Sequence, residues 1–377
     1  MKRILFITGT RADYGKLKSL MKSIDDSNDF ECFIYVSGMH LIESLGDTYK
    51  EVLKDGYSNV YIAYGLMNTR IASYDLGDVI CNLTGYVNKI KPDMIVVHGD
   101  RIDALAGASV GALNNIIVAH IEGGELSGTI DESLRHAISK LAHIHFVSNL
   151  ESKKRLMQMG ECEESIFIIG SPDIDVMLSD NLPTLDTVKQ RYNLCFDKYA
   201  ILMYHPVTTE YEQLAKNIKK VVDAVFASNK NYIVIYPNND KGYELILNEY
   251  KRFEGNIRFK CFPSIRFEYF LTLLKNAEYM IGNSSAGVRE TCVYGIPAID
   301  IGTRQNNRYS CITSKNIQHV SENSDEIINA IENVTQHMYI SSSFGKGNST
   351  DLFMENINKP DIWDRNMQKI FVNLGWV

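Results

Sequence analysis

The chain lacks paired cysteines. Its seven, Cys32, Cys81, Cys162, Cys195, Cys261, Cys292 and Cys311, are scattered singly along 377 residues. No C-x-x-C spacing means no zinc-ribbon pattern and no disulfide framework. An odd count fits reduced thiols in the cytoplasm, the expected location. Long apolar runs are missing as well. No segment approaches the roughly 20 apolar residues that span a bilayer. The opening MKRILFITGT has a basic flank, but its apolar stretch is too short for a secretory signal and reads as a buried first strand. No membrane role is expected. Positive charge is scarce: 39 Lys and Arg against 46 Asp and Glu leave a formal net charge of -7. A general nucleic-acid face needs the opposite sign. Local arginines can still build a cationic pocket for a small anion in an acidic protein. Neither H-x-x-x-H nor a Cys/His metal spacing occurs, so no metal site is expected. The G-x-G-x-x-G fingerprint of dinucleotide folds is absent too, and no internal repeat or low-complexity tract is present.

What is there is an alternation of strands and helices long enough for two domains. RILFIT is a short continuous apolar run, as a parallel strand buried on both faces requires. DYGKLKSLMKSI follows with helical spacing at Leu17, Leu20, Met21 and Ile24. FECFIYVSG, DMIVVHGD, IIVAHIEGG, HIHFVSN and SIFIIGSP read as further strands, with helices such as RIDALAGASVGAL and DESLRHAISKLA between them. Around residues 172–195 the pattern loosens, and Pro172 and Pro183 mark a candidate linker. A second alternation then begins, with strands in YAILMYHPV, NYIVIYPNN, IRFKCFPS, AEYMIGNSS and IPAIDIG. The class is α/β, with two Rossmann-like halves in tandem. Ligands of such sheets bind outside the carboxyl ends of strands, and two facing halves place the ligand in the cleft between them.

The unusual polar residues gather at those strand ends. In TGTRADYG, Thr8, Gly9 and Thr10 would let backbone approach a ligand, and Arg11 would set a cation at a helix start. That suits phosphate; a plain turn with a solvated arginine is the alternative. HGDRIDA presents His98, Asp100 and Arg101, where Asp100 reads either as a site carboxylate or as the N-cap of the next helix. HIEGGELSGTIDESLRH packs four carboxylates into seventeen residues and places Glu122 in an equivalent position, with Gly123 and Gly124 removing bulk beside it. Two neighbouring strand ends that each deliver a carboxylate are harder to assign to capping. Asp131 is a further N-cap candidate, with His136 about one helical turn later. The second half supplies His205, Asn238, and the turn GNSSAGVRE with Ser284, Ser285 and Glu290. A glycine-serine turn opening a helix offers N–H groups and hydroxyls to phosphate, and Glu290 is a candidate for ribose hydroxyls. An ordinary capped helix is the alternative. IGTRQNNR places Arg304 near the same ligand. His143 and His145 read as structural.

ITGTRADYGKL, HGDRIDALAGA, HIEGGELSGTIDESLRHAISKLAHIHFVSN, IIGSPDID, HPVTT, YPNND, PSIRFEYFLTLLKNA and GNSSAGVRE together resemble the hydrolysing UDP-N-acetylglucosamine 2-epimerases. These open the sialic acid pathway in capsule-forming bacteria and resemble the epimerase half of the animal bifunctional enzyme. The resemblance runs from residue 1 to about residue 310. Non-hydrolysing 2-epimerases share the fold. They carry a Gly-Thr-Arg-Pro-Glu start where this chain has GTRADYG, and they lack the GGELSGTIDESLRH stretch.

The resemblance implies a GT-B fold: two Rossmann-like domains, residues 1–171 and 190–355, with a cleft between them. A C-terminal helix over 356–377 would cross back to the first domain, and DIWDRNMQKIFVNLGWV is amphipathic enough for it. It implies catalytic carboxylates at Asp100, Glu122 and Asp131. It implies UDP contacts at Arg11, Arg101, His205, Asn238, Ser284, Ser285, Glu290 and Arg304. The animal enzyme has serine where this chain has Gly15. No cofactor and no metal is implied. The expected partner is a UDP-sugar, and the expected assembly a homodimer or homotetramer. The implied reaction is elimination of UDP to a 2-acetamidoglucal followed by rehydration to N-acetylmannosamine. The rivals are a GT-B glycosyltransferase, a silent nucleotide-sugar sensor, and within the family an epimerase of UDP-2,4-diacetamido-2,4,6-trideoxyglucose for legionaminic acid.

Overall fold

The computed structural model describes residues 1–43, 46–67, 69, 71–127, 129–309 and 314–373. The chain divides into two compact units. One holds Met1–Glu125, Ile130–Leu178 and Phe344–Val377; the other holds Leu126–Thr129 and Ser179–Ser343.

The first unit is built on seven strands: β1 Lys2–Thr8, β2 Phe30–Val36, β3 Val60–Ile62, β4 Met94–His98, β5 Ile117–Ile121, β6 Ile144–Val147 and β7 Ile166–Ile168. Their order is β3-β2-β1-β4-β5-β6-β7, and every pairing is parallel. Helices cover both faces, which is why β4 and β5 read as near-continuous apolar runs. Alternate residues of β1 serve opposite cores. Ile4 and Phe6 join Tyr14, Leu17 and Met21 of helix Arg11–Asp25. Leu5 and Ile7 join Leu83 of helix Ala72–Ile90 and Ala104 and Ala108 of helix Ile102–Leu113.

The second unit repeats the plan with β8 Ala200–Met203, β9 Tyr232–Ile235, β10 Phe259–Phe262, β11 Met280–Gly282, β12 Ala298–Ile301 and β13 Ile317–Val320. The order is β10-β9-β8-β11-β12-β13, again all parallel. Both sheets reverse their direction of growth once, at β1/β4 and at β8/β11. Loops that leave these two neighbouring strands part to opposite faces and open a crevice at their carboxyl ends. Two doubly wound α/β units in tandem are the GT-B class of fold.

Three elements differ from the sequence expectation. The loosened stretch 172–195 is largely helical, with helices Pro172–Met177 and Leu185–Tyr192. Pro172 occupies the first helical position, where its missing N–H costs nothing, and Pro183 precedes the N-cap Thr184. These prolines start helices rather than break them. The edge strands β3 and β13 were not expected, because they are short and only partly buried and so lack a continuous apolar run. The C-terminal helix is Ser349–Ile357, not 356–377. Pro360 opens a single 3-10 turn, Pro360–Ile362, and the described residues after it are not helical. Their side chains serve separate anchors: Lys369 Nζ donates to the carbonyls of Ser139 and Lys140, and Val372 N donates to Gly160 O. Residues 374–377 of the expected helix lie outside the described residues. No helix among the described residues is long and apolar enough to cross a membrane.

The β8/β11 crossing places one glycine under strict constraint. Gly282 has φ +135, and a Cβ there would lie 2.0 Å from the carbonyl oxygen of Met203. Gly282→Ala is expected to lower unfolding free energy by about 3 kcal/mol, combining strain and overpacking. Gly255→Ala, at φ +74 with open space around it, should cost about 1 kcal/mol. Urea unfolding of the two variants checks this; equal midpoints would contradict it.

Candidate active site

In the first unit the polar residues after β1, β4 and β5 are each held by buried partners. After β1, the Asp13 carboxylate accepts from the backbone N–H of Gly9 at 3.1 Å and of Thr10 at 3.2 Å, and from the Thr8 hydroxyl. Thr10 Oγ1 in turn accepts from Asp13 N at 3.1 Å, closing a capping box. The Gly9 and Thr10 N–H groups of this turn are therefore engaged by Asp13. Gly9 is needed for another reason: a Cβ there would meet Asp103 Oδ2 at 2.2 Å. Asp103 is buried, bonded to Ser37 Oγ at 2.5 Å, and burial, helped by the charge of Asp13, pushes its carboxyl up to about 6. Arg11 points its guanidinium at Glu51 as a two-point ion pair.

After β4, Asp100 is not a helix cap. The N-cap of helix Ile102–Leu113 is Arg101, without a side-chain cap bond, while Asp100 Oδ2 pairs with Arg135 Nη2. Arg135 is buried on helix Ile130–Leu141, and its other arm donates to Glu125 O at 3.2 Å. The turn that carries Asp100 is fixed from below. Buried His120 has its ring pushed down to about 3 by burial and stays neutral. Its Nε2–H donates to Gly99 O at 2.8 Å, so Nδ1 accepts from Ser139 Oγ at 3.0 Å.

After β5, Glu122 is buried in the left-handed region at φ +62, which few side chains adopt without strain. Its Oε2 lies 3.0 Å from His98 Nε2, and its Oε1 accepts from Ser171 Oγ. The glycines that follow are sterically required. A Cβ on Gly123 would strike His120 Nδ1 and Ser139 Oγ, both at 2.9 Å; one on Gly124 would lie 2.5 Å from Ser152 O. The other acids of this stretch diverge. Glu125 accepts from Ser148 Oγ at 2.8 Å, and Glu132 faces His136 at 3.8 Å. Asp131 lies in the first turn of helix Ile130–Leu141. His143 and His145 are structural as expected: His143 Nδ1 accepts from Val118 N, and His145 pairs with buried Glu161.

In the second unit the ends of β8, β9, β11 and β12 converge on one residue, Asn283. Its side chain accepts from His205 N at 2.6 Å and donates to His205 O at 2.9 Å. Its carbonyl accepts from Arg304 Nη1 at 3.1 Å and from Gln305 Nε2 at 2.8 Å. His205 Nδ1 accepts from Asn238 N at 3.0 Å, which puts the ring hydrogen of the neutral imidazole on Nε2. Ser284 follows directly and caps the 3-10 turn Ser285–Gly287, accepting from Ala286 N at 3.3 Å. Glu290 is buried at the start of helix Glu290–Tyr294. The helix opened by this turn is short, Glu290–Tyr294 after the 3-10 turn Ser285–Gly287. His205, Asn238, Ser284 and Arg304 are brought together, with Ser285 adjacent. Among the described residues no group of three or more His, Cys, Asp or Glu is arranged to hold a metal ion.

The family model described as UDP-N-acetylglucosamine 2-epimerase matches residues 22–358. The chain belongs to the UDP-N-acetylglucosamine 2-epimerase family. A UDP-N-acetylglucosamine 2-epimerase of Neisseria meningitidis serogroup B is 47% identical over 380 residues, covering 100% of both chains. A UDP-N,N'-diacetylbacillosamine 2-epimerase (hydrolyzing) of Legionella pneumophila is 34% identical, covering 93% of this chain and 94% of its own. In fold, the chain is similar to a crystal structure of UDP-GlcNAc 2-epimerase from Neisseria meningitidis bound to UDP-GlcNAc. The TM-score is 0.81 at 17% identity, covering 94% of this chain and 99% of that one.

Sequence reasoning about this epimerase missed Arg135, His120, Ser171 and Asn283. Arg135, Ser171 and Asn283 each touch a candidate residue, and His120 holds the turn before Asp100; each sits inside a helix, strand or turn where its letter alone suggests solvent or packing. One signal was available: arginine at Arg135 interrupts the buried face of an otherwise amphipathic helix. The Asp100 and Arg135 side chains are 20% and 3% exposed. Arg135→Met is therefore expected to cost about 3 kcal/mol of stability, because it strips the guanidinium from a largely buried carboxylate. Combined with Asp100→Asn, the loss should fall short of the sum by about 1 kcal/mol or more in urea unfolding. Strict additivity would contradict the pair.

Proposed function

We propose that this epimerase is of the hydrolysing type and converts UDP-N-acetylglucosamine and water into N-acetylmannosamine and UDP, opening sialic acid synthesis. The observation that carries the reading is the pair of carboxylates at adjacent strand ends, held by different partners. Asp100 is charge-compensated by a guanidinium, whereas Glu122 lies between an imidazole nitrogen at 3.0 Å and a serine hydroxyl. The full-length identity to the Neisseria epimerase and the hydrolysing activity in the Legionella relative's name support it.

The chemistry needs such a pair. The hydrogen on C2 of the sugar is not acidic in the ground state. It becomes acidic as the C1–O bond to the diphosphate stretches and positive charge builds at C1. A carboxylate takes the C2 proton, the C1–O bond breaks, and UDP leaves with the bonding electrons to give a 2-acetamidoglucal. Water then adds its oxygen to C1, and C2 receives a proton on the face that gives the manno configuration. Proton handling on two faces calls for more than one acid. We assign Asp100 and Glu122 to the C2 side, with Asp131 at C1 or orienting. Arg11, Arg101 and Arg304, with Ser284 and Ser285, are assigned to the diphosphate, where they stabilise the departing charge. His205, Asn238 and Glu290 are assigned to the rest of UDP. A homodimer or homotetramer in the cytoplasm is part of the same proposal. One second reading has a specific support, the Legionella relative: the substrate would be a 2,4-diacetamido UDP-sugar rather than UDP-N-acetylglucosamine.

Giving purified protein both UDP-sugars decides between the two. Release of UDP with N-acetylmannosamine is expected from UDP-N-acetylglucosamine; turnover of the diacetamido sugar alone would favour the second reading. Asp100→Asn and Glu122→Gln should each lower kcat by about 10²-fold or more, the usual scale of a general acid or base, with UDP affinity little changed. Near-normal turnover in both would sink the assignment.

A further inference from the structure

We propose that Ser171 is a positioning residue for Glu122, and that the segment Phe344–Ser349 is the strap that holds Ser171 in place. The proposal rests on the reading of Glu122 as an acid/base carboxylate. A serine in front of a helix ordinarily turns its hydroxyl onto that helix's own first N–H groups. Ser171 is the N-cap of helix Pro172–Met177, yet its side chain makes no cap bond. The hydroxyl is turned away and donates to Glu122 Oε1. His98 holds the other oxygen, so the carboxylate is gripped at both ends. That grip matters because Glu122 sits at φ +62, a conformation its surroundings must enforce.

Ser171 is fully buried and is itself fixed on both sides of its backbone. Its N–H donates to Phe344 O at 2.7 Å, and its carbonyl accepts from Ser349 Oγ at 3.0 Å. The strap lies in direct backbone contact. A Cβ on Gly345 would come within 3.2 Å of Gly170 Cα, and one on Gly170 within 3.0 Å of Ser349 Oγ. Asp175 fastens the far end, accepting from Ser349 N at 2.9 Å and Thr350 N at 2.7 Å. Phe344 is where the chain re-enters the first unit. The re-entry point is thus two hydrogen bonds from Glu122: Phe344 to Ser171, and Ser171 to Glu122.

The test is steady-state kinetics on four variants, with melting temperature measured for each. Ser171→Ala is expected to lower kcat about tenfold or more, the scale of a lost bond to a charged group, while KM for the UDP-sugar barely moves; the melting temperature should fall by a few degrees, because a buried carboxylate oxygen loses its donor. Ser171→Thr keeps the hydroxyl and should recover most of the rate. Ser349→Ala, which loosens the strap only, should lower kcat by about threefold with KM unchanged. A serine that merely packs would give alanine and threonine variants with equal rates, and that result overturns the proposal. So does a loss confined to KM. Normal kcat in Ser349→Ala overturns the strap. Glu122→Gln separates the two readings. If it turns over normally, the role of Glu122 falls and the proposal with it; if it is inactive while Ser171→Ala is normal, the proposal falls alone.

Discussion

Parallel strands all end on the same side. That single constraint determines where polar chemistry gathers in this molecule. Within each sheet the carboxyl ends line one edge, and the order reverses once, at β1/β4 and at β8/β11. Residues that follow those strands are thrown together although they are far apart in sequence. Thr8–Arg11 and His98–Arg101 follow paired strands in the first unit, and His205 meets Asn283 in the second. The apolar runs that make the strands serve stability. The few polar residues after them are what remains for function.

Burial then decides the condition of those residues. A carboxylate that sits against packed walls must find a partner or lose its charge. Three solutions occur side by side in the first unit. Asp100 takes a buried arginine, Glu122 takes a histidine and a serine, and Asp103 takes a serine with its titration raised by burial. In the second unit the same demand is met by a neutral side chain. Asn283 clasps His205 by its amide and holds Arg304 and Gln305 by its carbonyl.

The strands that carry the site were legible because each is buried on both faces and so reads as an apolar run. β3 and β13, exposed at the sheet edges, were not. The prolines at 172 and 183 pointed to a linker, because their letter gives no sign of whether they open a helix or end one. The C-terminal helix was misplaced for a related reason. Apolar residues in 363–373 fall at helix-like spacing, yet the tail uses them and its lysine one by one against the first unit. At the site, Asp100 and Glu122 were readable from their places after strands. Their partners were not, since Arg135 and Ser171 lie 35 and 49 residues away and only the fold brings them close. The turn Thr8–Arg11 was legible as a turn, but the engagement of its Gly9 and Thr10 N–H groups by Asp13 was not, because nothing in the sequence singles Asp13 out from the helix that follows.

The central claim is that a carboxylate removes the C2 hydrogen of the sugar as UDP leaves from C1. Turnover of UDP-N-acetylglucosamine in heavy water enriched in oxygen-18 follows both bonds at once. The account predicts N-acetylmannosamine that carries deuterium at C2 and oxygen-18 at C1 in the same molecule, with no label in UDP. A product that keeps its original C2 hydrogen, or UDP that gains oxygen-18, would contradict it.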